Sequence, residues 1–201
     1  MKTLLRIDAS IRKAHSYSRE LADYFQNQWQ IRYPDSQIIY RDLAAEPVPH
    51  LNQQLTEAFF MNPAPPDVLA LSDTLLNELQ AADALLISSP LYNLSLPSTL
   101  KSYIDHIVRI HKTFTYAEGG AFRGLLNGKE AFIIHAKGGL YRSLQLEQLD
   151  FQEGYLRTIL NFIGIEKVTV FPLEGTRNEA YAIKAMEEIR HAIMACFQTN
   201  L

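Results

Sequence analysis

The chain has 201 residues, of which 47% are hydrophobic and 20% are charged, and its formal net charge is −3 at pH 7. This composition excludes a disordered or low-complexity chain, and the length is typical of one domain with a substantial core. The weak net charge gives no electrostatic basis for binding nucleic acid or an anionic membrane, and it lacks the acidity of a dedicated electron carrier. We therefore expect a single domain over residues 1–201.

The cysteine content and the N-terminus indicate the compartment. Cys196 is the single cysteine, so an internal disulfide is excluded and a reducing compartment is favoured. Arg6 and Asp8 interrupt the first apolar run, which leaves it too short for a signal peptide. No stretch reaches the apolar length of a membrane span. These features predict a cytoplasmic protein without a membrane or nucleic-acid partner.

Short apolar runs alternate with helical periodicities along the chain. In order, we predict a strand at 3–7, a helix opening at Ser16, a strand at 37–40, a short helix at 51–61, a helix at 67–80, a strand at 84–88 and a helix from 97 to about 110. The second half continues with a hairpin around the turn at 118–120, a strand at 131–135, a helix from about 149 to 162, a strand at 168–173 and a helix at 177–197.

Five strands that alternate with helices predict an α/β fold with a parallel sheet. Right-handed crossovers favour the flavodoxin-like order 2-1-3-4-5, with helices on both faces of the five-stranded sheet. In this order the direction of winding switches between the first and third strands, and ligands bind at such a switch point. We expect the loops after strands one, three and four to converge on one ligand.

The loop after the first strand has the character of an anion site. Ser10, Ser16 and Ser18 surround a predicted helix N-terminus, where backbone N–H groups attract an anion and hydroxyls add donors. Positive charge lies nearby on four side chains: Arg12, Lys13, His15 and Arg19. A phosphate site and an ordinary serine cap remain equally supported by this loop alone. Without a glycine-rich motif, neither a P-loop nor a Rossmann dinucleotide site is favoured.

Two further loops carry groups suited to a flat heterocycle. Tyr92 and Asn93 follow the third strand, where backbone N–H groups can meet a ring's polar edge and side chains can cover its face. Taken alone, each is better explained as a half-buried aromatic or a turn former. Gly138 and Gly139 follow the fourth strand and permit close backbone approach, although an ordinary turn gives the same pattern. His135 ends that strand, and a lone histidine is more often structural.

Other chemistries lack their motifs. There is no Gly-x-Ser-x-Gly elbow for a serine hydrolase. His106 and His111 are five apart and off one helical face, so no metal site is expected. The third strand does not end in the aspartate of a phosphoacceptor domain.

Several motifs together resemble the FMN-dependent NADH-azoreductase family, a branch of the flavodoxin-like NAD(P)H:quinone oxidoreductases. They are Ser10 with residues 16–18, then residues 41–44, 90–94, 97–101, 104–105, 113–116 and 162–165. The resemblance spans nearly the whole chain, and the ordered combination is much more specific than any one motif.

The resemblance implies that FMN binds noncovalently at the three loops. Its phosphate would contact Ser10, Ser16, Tyr17 and Ser18. Its ring would contact Pro90, Leu91, Tyr92, Asn93, Leu94, Ala136, Lys137, Gly138 and Gly139. The family is homodimeric, with each site completed by the partner chain, and Phe114, Tyr116 and Phe162 would contribute to the substrate pocket.

The implied reaction is ping-pong: NADH reduces the flavin and leaves as NAD, and the flavin then passes two electrons to a quinone or azo compound. The flavin carries this chemistry, so no catalytic side chain is required; Tyr116 and His135 are the candidates for a proton donor. The alternatives are a flavodoxin-type electron carrier and a flavin-free interaction protein.

Three positions depart from the family pattern. Leu91 replaces a common methionine, Leu94 a common phenylalanine, and Ala136 a common serine or threonine. These changes bear on substrate preference and FMN affinity more than on the fold.

Overall fold

A five-stranded parallel sheet forms the centre of the computed structural model, which describes residues 1–198. Its strands are β1 (Thr3–Asp8), β2 (Gln37–Asp42), β3 (Ala84–Pro90), β6 (Glu130–Ala136) and β7 (Lys167–Leu173). They lie in the order β2-β1-β3-β6-β7. Among the five parallel strands alone this is 2-1-3-4-5, so the predicted topology is confirmed. Their carboxyl ends share one edge of the sheet.

The helices within residues 1–198 are α1 (Tyr17–Arg32), α2 (Gln53–Ala58), α3 (Pro66–Ala81), α4 (Ser98–Ile107), α5 (Phe151–Phe162) and α6 (Glu179–Gln198). Five of them pack on the two faces of the sheet, whereas the short α2 packs on α3. Leucines of α3, α4 and α5 pack with Leu5 and Ile87 in one core cluster. Apolar side chains of α1 and α6 pack with Leu4 and Leu86 in a second cluster on the opposite face. Among the residues described, no helix has both the length and the apolar character needed to cross a bilayer.

The third strand runs two residues further than its apolar run predicts. Ser89 and Pro90 pair in register with His135 and Ala136 of β6. Pro90 lacks an N–H, which a strand tolerates at its end. Leu91 then donates its N–H to the Ala136 carbonyl at 2.8 Å. This bond fixes where the loop after β3 leaves the sheet.

The predicted hairpin forms between β4 (Phe114–Tyr116) and β5 (Phe122–Gly124), which pair antiparallel. Its base is tied to the end of α5 by a hydrogen bond from the Leu126 N–H to the Ile163 carbonyl at 2.9 Å. Gly124 and Gly164 meet backbone to backbone, because a Cβ on Gly124 would lie 2.1 Å from the Gly164 nitrogen.

Candidate functional site

A cavity of about 690 Å³, called here the main cavity, opens at the carboxyl edge of the sheet. The three loops predicted to converge all contribute to its lining: residues 10–18 after β1, residues 90–94 after β3, and residues 136–139 after β6. A fourth segment, after β7, completes one wall. The volume is within the usual range for a small-molecule or cofactor site.

One end of the main cavity is rich in unused donors. Ser16 occupies the N-cap position of α1, but its side chain makes no capping bond and its Oγ lies 3.3 Å from the Ser18 Oγ. The first backbone bond of the helix runs from the Glu20 N–H to the Ser16 carbonyl at 3.0 Å. Within residues 1–198, the N–H groups of residues 17–19 have no acceptor. Free N–H groups and hydroxyls at a helix N-terminus fit a phosphate.

The cations near this end fall into two groups. Arg12 and His15 line the main cavity, and His15 has a positive φ of 56°. Arg19, which the sequence suggested as a nearby positive charge, is instead buried and pairs with Asp8 and Asp42. It also donates to the Ser10 carbonyl at 2.7 Å. Arg19 therefore holds the loop in place from behind.

The other end of the main cavity is shaped by a tight turn after β3. Tyr92 and Ser95 exchange two backbone hydrogen bonds of 2.9 Å each. Between them, Asn93 and Leu94 have positive φ values of 47° and 67°. Such a backbone is uncommon for asparagine and costly for leucine, and it is typical of ligand-binding segments. The Leu94 carbonyl accepts the Phe151 N–H at 3.0 Å, which anchors the turn to α5.

The loop after β6 contributes Ala136, Gly138 and Gly139 to the lining, but the Lys137 side chain turns away from the main cavity. Its Nζ lies 2.6 Å from Asp150 and 3.3 Å from Glu174, and the side chain is only 3% exposed. Two carboxylates attract this ammonium into the protein interior. The structure therefore does not support a contact between the Lys137 side chain and a ligand in the main cavity. The Lys137 backbone still forms part of the loop after β6.

His135 is fully buried and lies outside the lining of the main cavity. Burial lowers its pKa to about 4, although the nearby Asp150 carboxylate works in the opposite direction. The ring is therefore neutral at pH 7. Its position gives no direct contact for proton donation into the cavity.

Asp150, which the sequence did not single out, connects several parts of the site. It caps α5 by accepting the N–H groups of Gln152 and Glu153 at 3.0 and 3.1 Å. Burial opposes its ionisation, but His135 and the Lys137 ammonium hold the pKa of this carboxyl below its usual range. His135, Asp150 and Glu153 also have ligand atoms within 4.8 Å of one another. The Lys137 ammonium already occupies the Asp150 side of this group.

The sequence also missed three residues of the main cavity: Tyr141, Thr176 and Arg177. Thr176 donates its N–H and its hydroxyl to the Lys137 carbonyl, each at 3.1 Å, so the loops after β6 and β7 are joined. A Cβ on Gly138 would lie 3.4 Å from the Arg177 side chain. The predicted topology could have pointed to Thr176 and Arg177, because β7 ends at the same edge of the sheet as β1, β3 and β6.

The three aromatic residues predicted for a substrate pocket gather away from the main cavity. The Phe162 ring lies 4.7 Å from that of Phe114 and 5.1 Å from that of Phe122, measured between centroids. Tyr116 and Phe122 pack together at 5.2 Å while remaining 55% and 59% exposed. Within one chain these rings do not line the main cavity.

A second opening of about 980 Å³, called here the apolar cavity, adjoins the main cavity across Tyr92 and Asn93. Much of its wall is apolar or aromatic and includes Leu96, Phe151 and Tyr155. His50 contributes a polar group and accepts or donates a hydrogen bond of 2.9 Å with the Ser102 hydroxyl. The turn after β3 therefore has a cavity on each side.

Known proteins match the chain over nearly its full length. A family model described as "Flavodoxin-like fold" matches residues 1–196. A protein of Hydrogenovibrio crunogenus named "FMN-dependent NADH:quinone oxidoreductase" is 39% identical, over 98% of this chain and 100% of the relative. One of the same name from Xanthobacter autotrophicus is 46% identical over 85% of each chain.

Solved structures give the same assignment. An FMN-dependent NADH-azoreductase from Bacillus anthracis, solved in complex with FMN, is 25% identical with a TM-score of 0.85, over 98% of this chain and 99% of that one. The fold, the convergent loops and these relatives lead to one conclusion: the chain belongs to the flavodoxin-like family and, within it, to the FMN-dependent NADH:quinone oxidoreductases.

Proposed function

We propose that the protein is an FMN-dependent oxidoreductase that uses NADH to reduce quinones or azo compounds. The main cavity carries this proposal, because free helix N–H groups lie at one end and the strained turn after β3 lies at the other. The names of the relatives supply the cofactor and the donor.

The donor set fits a flavin mononucleotide. The phosphate would bind Ser10, Ser16, Tyr17 and Ser18, since the first N–H groups of α1 have no acceptor among residues 1–198 and the serine hydroxyls line the same end of the cavity. The isoalloxazine would lie against residues 90–94 and residues 136–139, with Gly138 and Gly139 allowing close backbone approach. Ala136 offers no side-chain hydrogen bond there, so backbone groups would supply the contacts.

When bound, FMN supplies hydride acceptance and donation. The chain's own task is to hold ligands in position over the ring and to exclude water. Residues 91–94 do this with a turn fixed by the Tyr92–Ser95 pair and by the bond from Phe151 to Leu94. Neutral, buried His135 is poorly placed to transfer a proton, whereas Tyr116 remains a proposed donor that depends on a partner chain.

The apolar cavity favours flat, weakly polar acceptors. Leu96, Phe151 and Tyr155 present apolar and aromatic surface next to the proposed ring site, and such surface suits a quinone or an azo compound. Leu94 belongs to the turn that the two cavities share, lines the main cavity and is 39% exposed.

We further propose a cytoplasmic homodimer in which the partner completes each site. Tyr116 and Phe122 leave a large aromatic surface exposed on the hairpin, next to half-buried Phe114 and Phe162. Exposed aromatic clusters of this kind are typical of protein interfaces. In a dimer, Phe114, Tyr116 and Phe162 would line the partner's substrate pocket.

A flavin titration combined with turnover tests the function. We expect the purified protein to bind FMN with a Kd below micromolar and to oxidise NADH rapidly only when a benzoquinone is present. Asn93→Pro should weaken FMN binding at least tenfold, because proline excludes the positive φ at this turn. Asn127→Pro, at an exposed turn outside the main cavity, serves as the control. No FMN binding at micromolar concentrations would contradict the proposal.

A further inference from the structure

The loop that leads to His50 is held against the body of the protein. Val48 is 6% exposed and belongs to the core cluster that α3, α4 and α5 share. The Pro49 carbonyl accepts the Nε2–H of His106 at 3.0 Å, and His106 is only 2% exposed. The His50 ring therefore stands on a fixed backbone in the wall of the apolar cavity.

A buried hydroxyl fixes the orientation of the His50 ring. Ser102, on α4, is 1% exposed, and its Oγ lies 2.9 Å from the His50 Nδ1. This hydroxyl has no other acceptor within residues 1–198, so it donates to Nδ1, and the proton of the neutral ring is then on Nε2. Nε2 has no partner in the described part of the chain. His50 thus keeps a free N–H donor in the cavity wall.

The charged side chains of the same wall are already paired. Lys101 forms an ion pair with Asp105, and Asp150 binds the Lys137 ammonium at 2.6 Å. Much of the remaining wall is apolar or aromatic. A free donor in such a wall selects ligands that carry an acceptor atom at the matching place, because a ligand without one leaves the donor unsatisfied.

The place of this donor matters because quinones and azo compounds develop charge at different positions. His50 lines the apolar cavity but not the main cavity, so its donor lies away from the proposed flavin ring. When one oxygen of a para-quinone takes up the hydride that NADH supplies through the cofactor, the electron pair leaves a negative charge on the opposite oxygen. A proton from water then completes the hydroquinone. The two nitrogens of an azo group are adjacent, so both lie where the hydride arrives.

We propose that His50 is a specificity-determining residue through which the protein prefers para-quinones to azo compounds. Its Nε2–H donates a hydrogen bond to the quinone oxygen that lies away from the flavin, where negative charge develops. Ser102 is the positioning residue that holds the ring. This inference rests on the oxidoreductase function proposed above.

The ratio of kcat/KM for a methyl-substituted para-benzoquinone to that for an uncharged azobenzene tests the proposal. His50→Leu should lower this ratio at least tenfold, the usual effect of losing one hydrogen bond to a charged oxygen. His50→Gln, whose amide N–H can take the place of Nε2–H, should retain at least a third of the ratio. His191→Leu is the control and should leave the ratio unchanged, since His191 is exposed on α6 and lines neither cavity.

A second measurement needs no turnover. Calorimetry of the FMN-loaded protein without NADH gives the Kd of the same quinone, which His50→Leu should weaken at least threefold, the effect of losing a hydrogen bond to a neutral carbonyl. Ser102→Ala, which leaves the ring without its tether, should weaken quinone binding in the same direction.

The outcomes separate the two claims. If the ratio falls less than tenfold in His50→Leu, or falls as far in His50→Gln, His50 does not select quinones by donating a hydrogen bond, and the oxidoreductase function stands. A quinone Kd that changes less than threefold in His50→Leu equally overturns the proposed contact. If the wild-type protein reduces neither acceptor, the proposed function itself fails. Binding of FMN by His50→Leu at the wild-type affinity shows that the variant is folded.

Discussion

Ser16 stands at the position of a helix cap, yet its hydroxyl accepts no backbone N–H of the helix. Its position could be predicted from the sequence, but its role could not, because capping and phosphate binding use the same residue at the same place. The structure favours the ligand, since the N–H groups at the start of α1 are left without an acceptor in the described chain.

Replacing Ser16 therefore separates binding from stability. Ser16→Ala should weaken FMN about tenfold, the usual effect of losing one hydrogen bond to a charged group, and should leave the melting temperature of the flavin-free protein nearly unchanged. Asn52→Ala is the matched control, because Asn52 does cap α2, accepting the Leu55 N–H at 2.8 Å. It should lower stability by about 1 kcal/mol without affecting FMN. The reverse pattern would show that Ser16 is structural.

His135 makes stability depend on pH. Its folded pKa is lowered to about 4, so the folded chain keeps this ring neutral while the unfolded chain takes up a proton below about pH 6.5. The contribution of His135 is therefore complete above pH 6.5 and is lost as the pH falls towards 4. Between pH 7.5 and 4.5 we expect the flavin-free protein to lose about 2 kcal/mol through this group.

Urea unfolding at the two pH values measures that loss. His135→Gln should reduce the difference in unfolding free energy between pH 7.5 and 4.5 by about that amount. His191→Gln, at an exposed position on α6, should leave the difference as in the wild type. An unchanged pH dependence in His135→Gln would refute the assignment.

Lys137 shows where prediction from the sequence reaches its limit. The resemblance implies that Lys137 contacts the ligand beside Gly138 and Gly139, and a contact through its backbone stays a prediction. The direction of its side chain depends on Asp150 and Glu174, which other segments of the chain supply. Local pattern contains no information about such partners. Arg177 was missed for the related reason that no residue near it in sequence suggests a site.

At the scale of the elements, the strands and helices were predictable because their patterns are strong. Buried parallel strands have continuous apolar runs, and the helices between them have one apolar face. The predicted and observed boundaries differ by a few residues where pairing with a distant segment sets the end of a strand. At Ser89 and Pro90, pairing with β6 extends β3 beyond its apolar run. The hairpin was predictable from its glycine turn, but its attachment to the end of α5 was not.

That attachment depends on a close backbone approach at Gly124. Gly124→Ala would place a Cβ 2.1 Å from the Gly164 nitrogen, so the hairpin and the end of α5 must separate. We expect a loss of about 1–3 kcal/mol of stability, as for other overpacked sites. Differential scanning calorimetry measures the change.

Gly154 provides the opposite case in the same part of the fold. It lies within α5, and no atom would be within 4 Å of an added Cβ. Gly154→Ala should therefore stabilise the protein by about 0.5–1 kcal/mol. If both alanine variants changed stability in the same direction, the close approach at Gly124 would not be the cause.

At the scale of the whole molecule, the exposed aromatic residues of the hairpin predict association. We expect a dimer by light scattering, and Phe122→Glu should shift it towards monomer because an ionised carboxylate cannot be buried at such an interface. Quinone turnover should fall at least tenfold while FMN affinity changes little. Ile31→Glu is the control for adding a charge at an exposed apolar position. A monomer that turned over at the full rate would contradict the shared site.

A single domain over residues 1–201 stays a prediction. The fold also occurs in electron carriers, and we propose that this chain is a cofactor-dependent enzyme instead. Anaerobic stopped-flow spectroscopy of the FMN-loaded protein tests this most directly. NADH should bleach the flavin absorbance in one two-electron step, and a benzoquinone added afterwards should restore it in one step. A flavin that NADH does not reduce, or that the quinone does not reoxidise, would contradict the account.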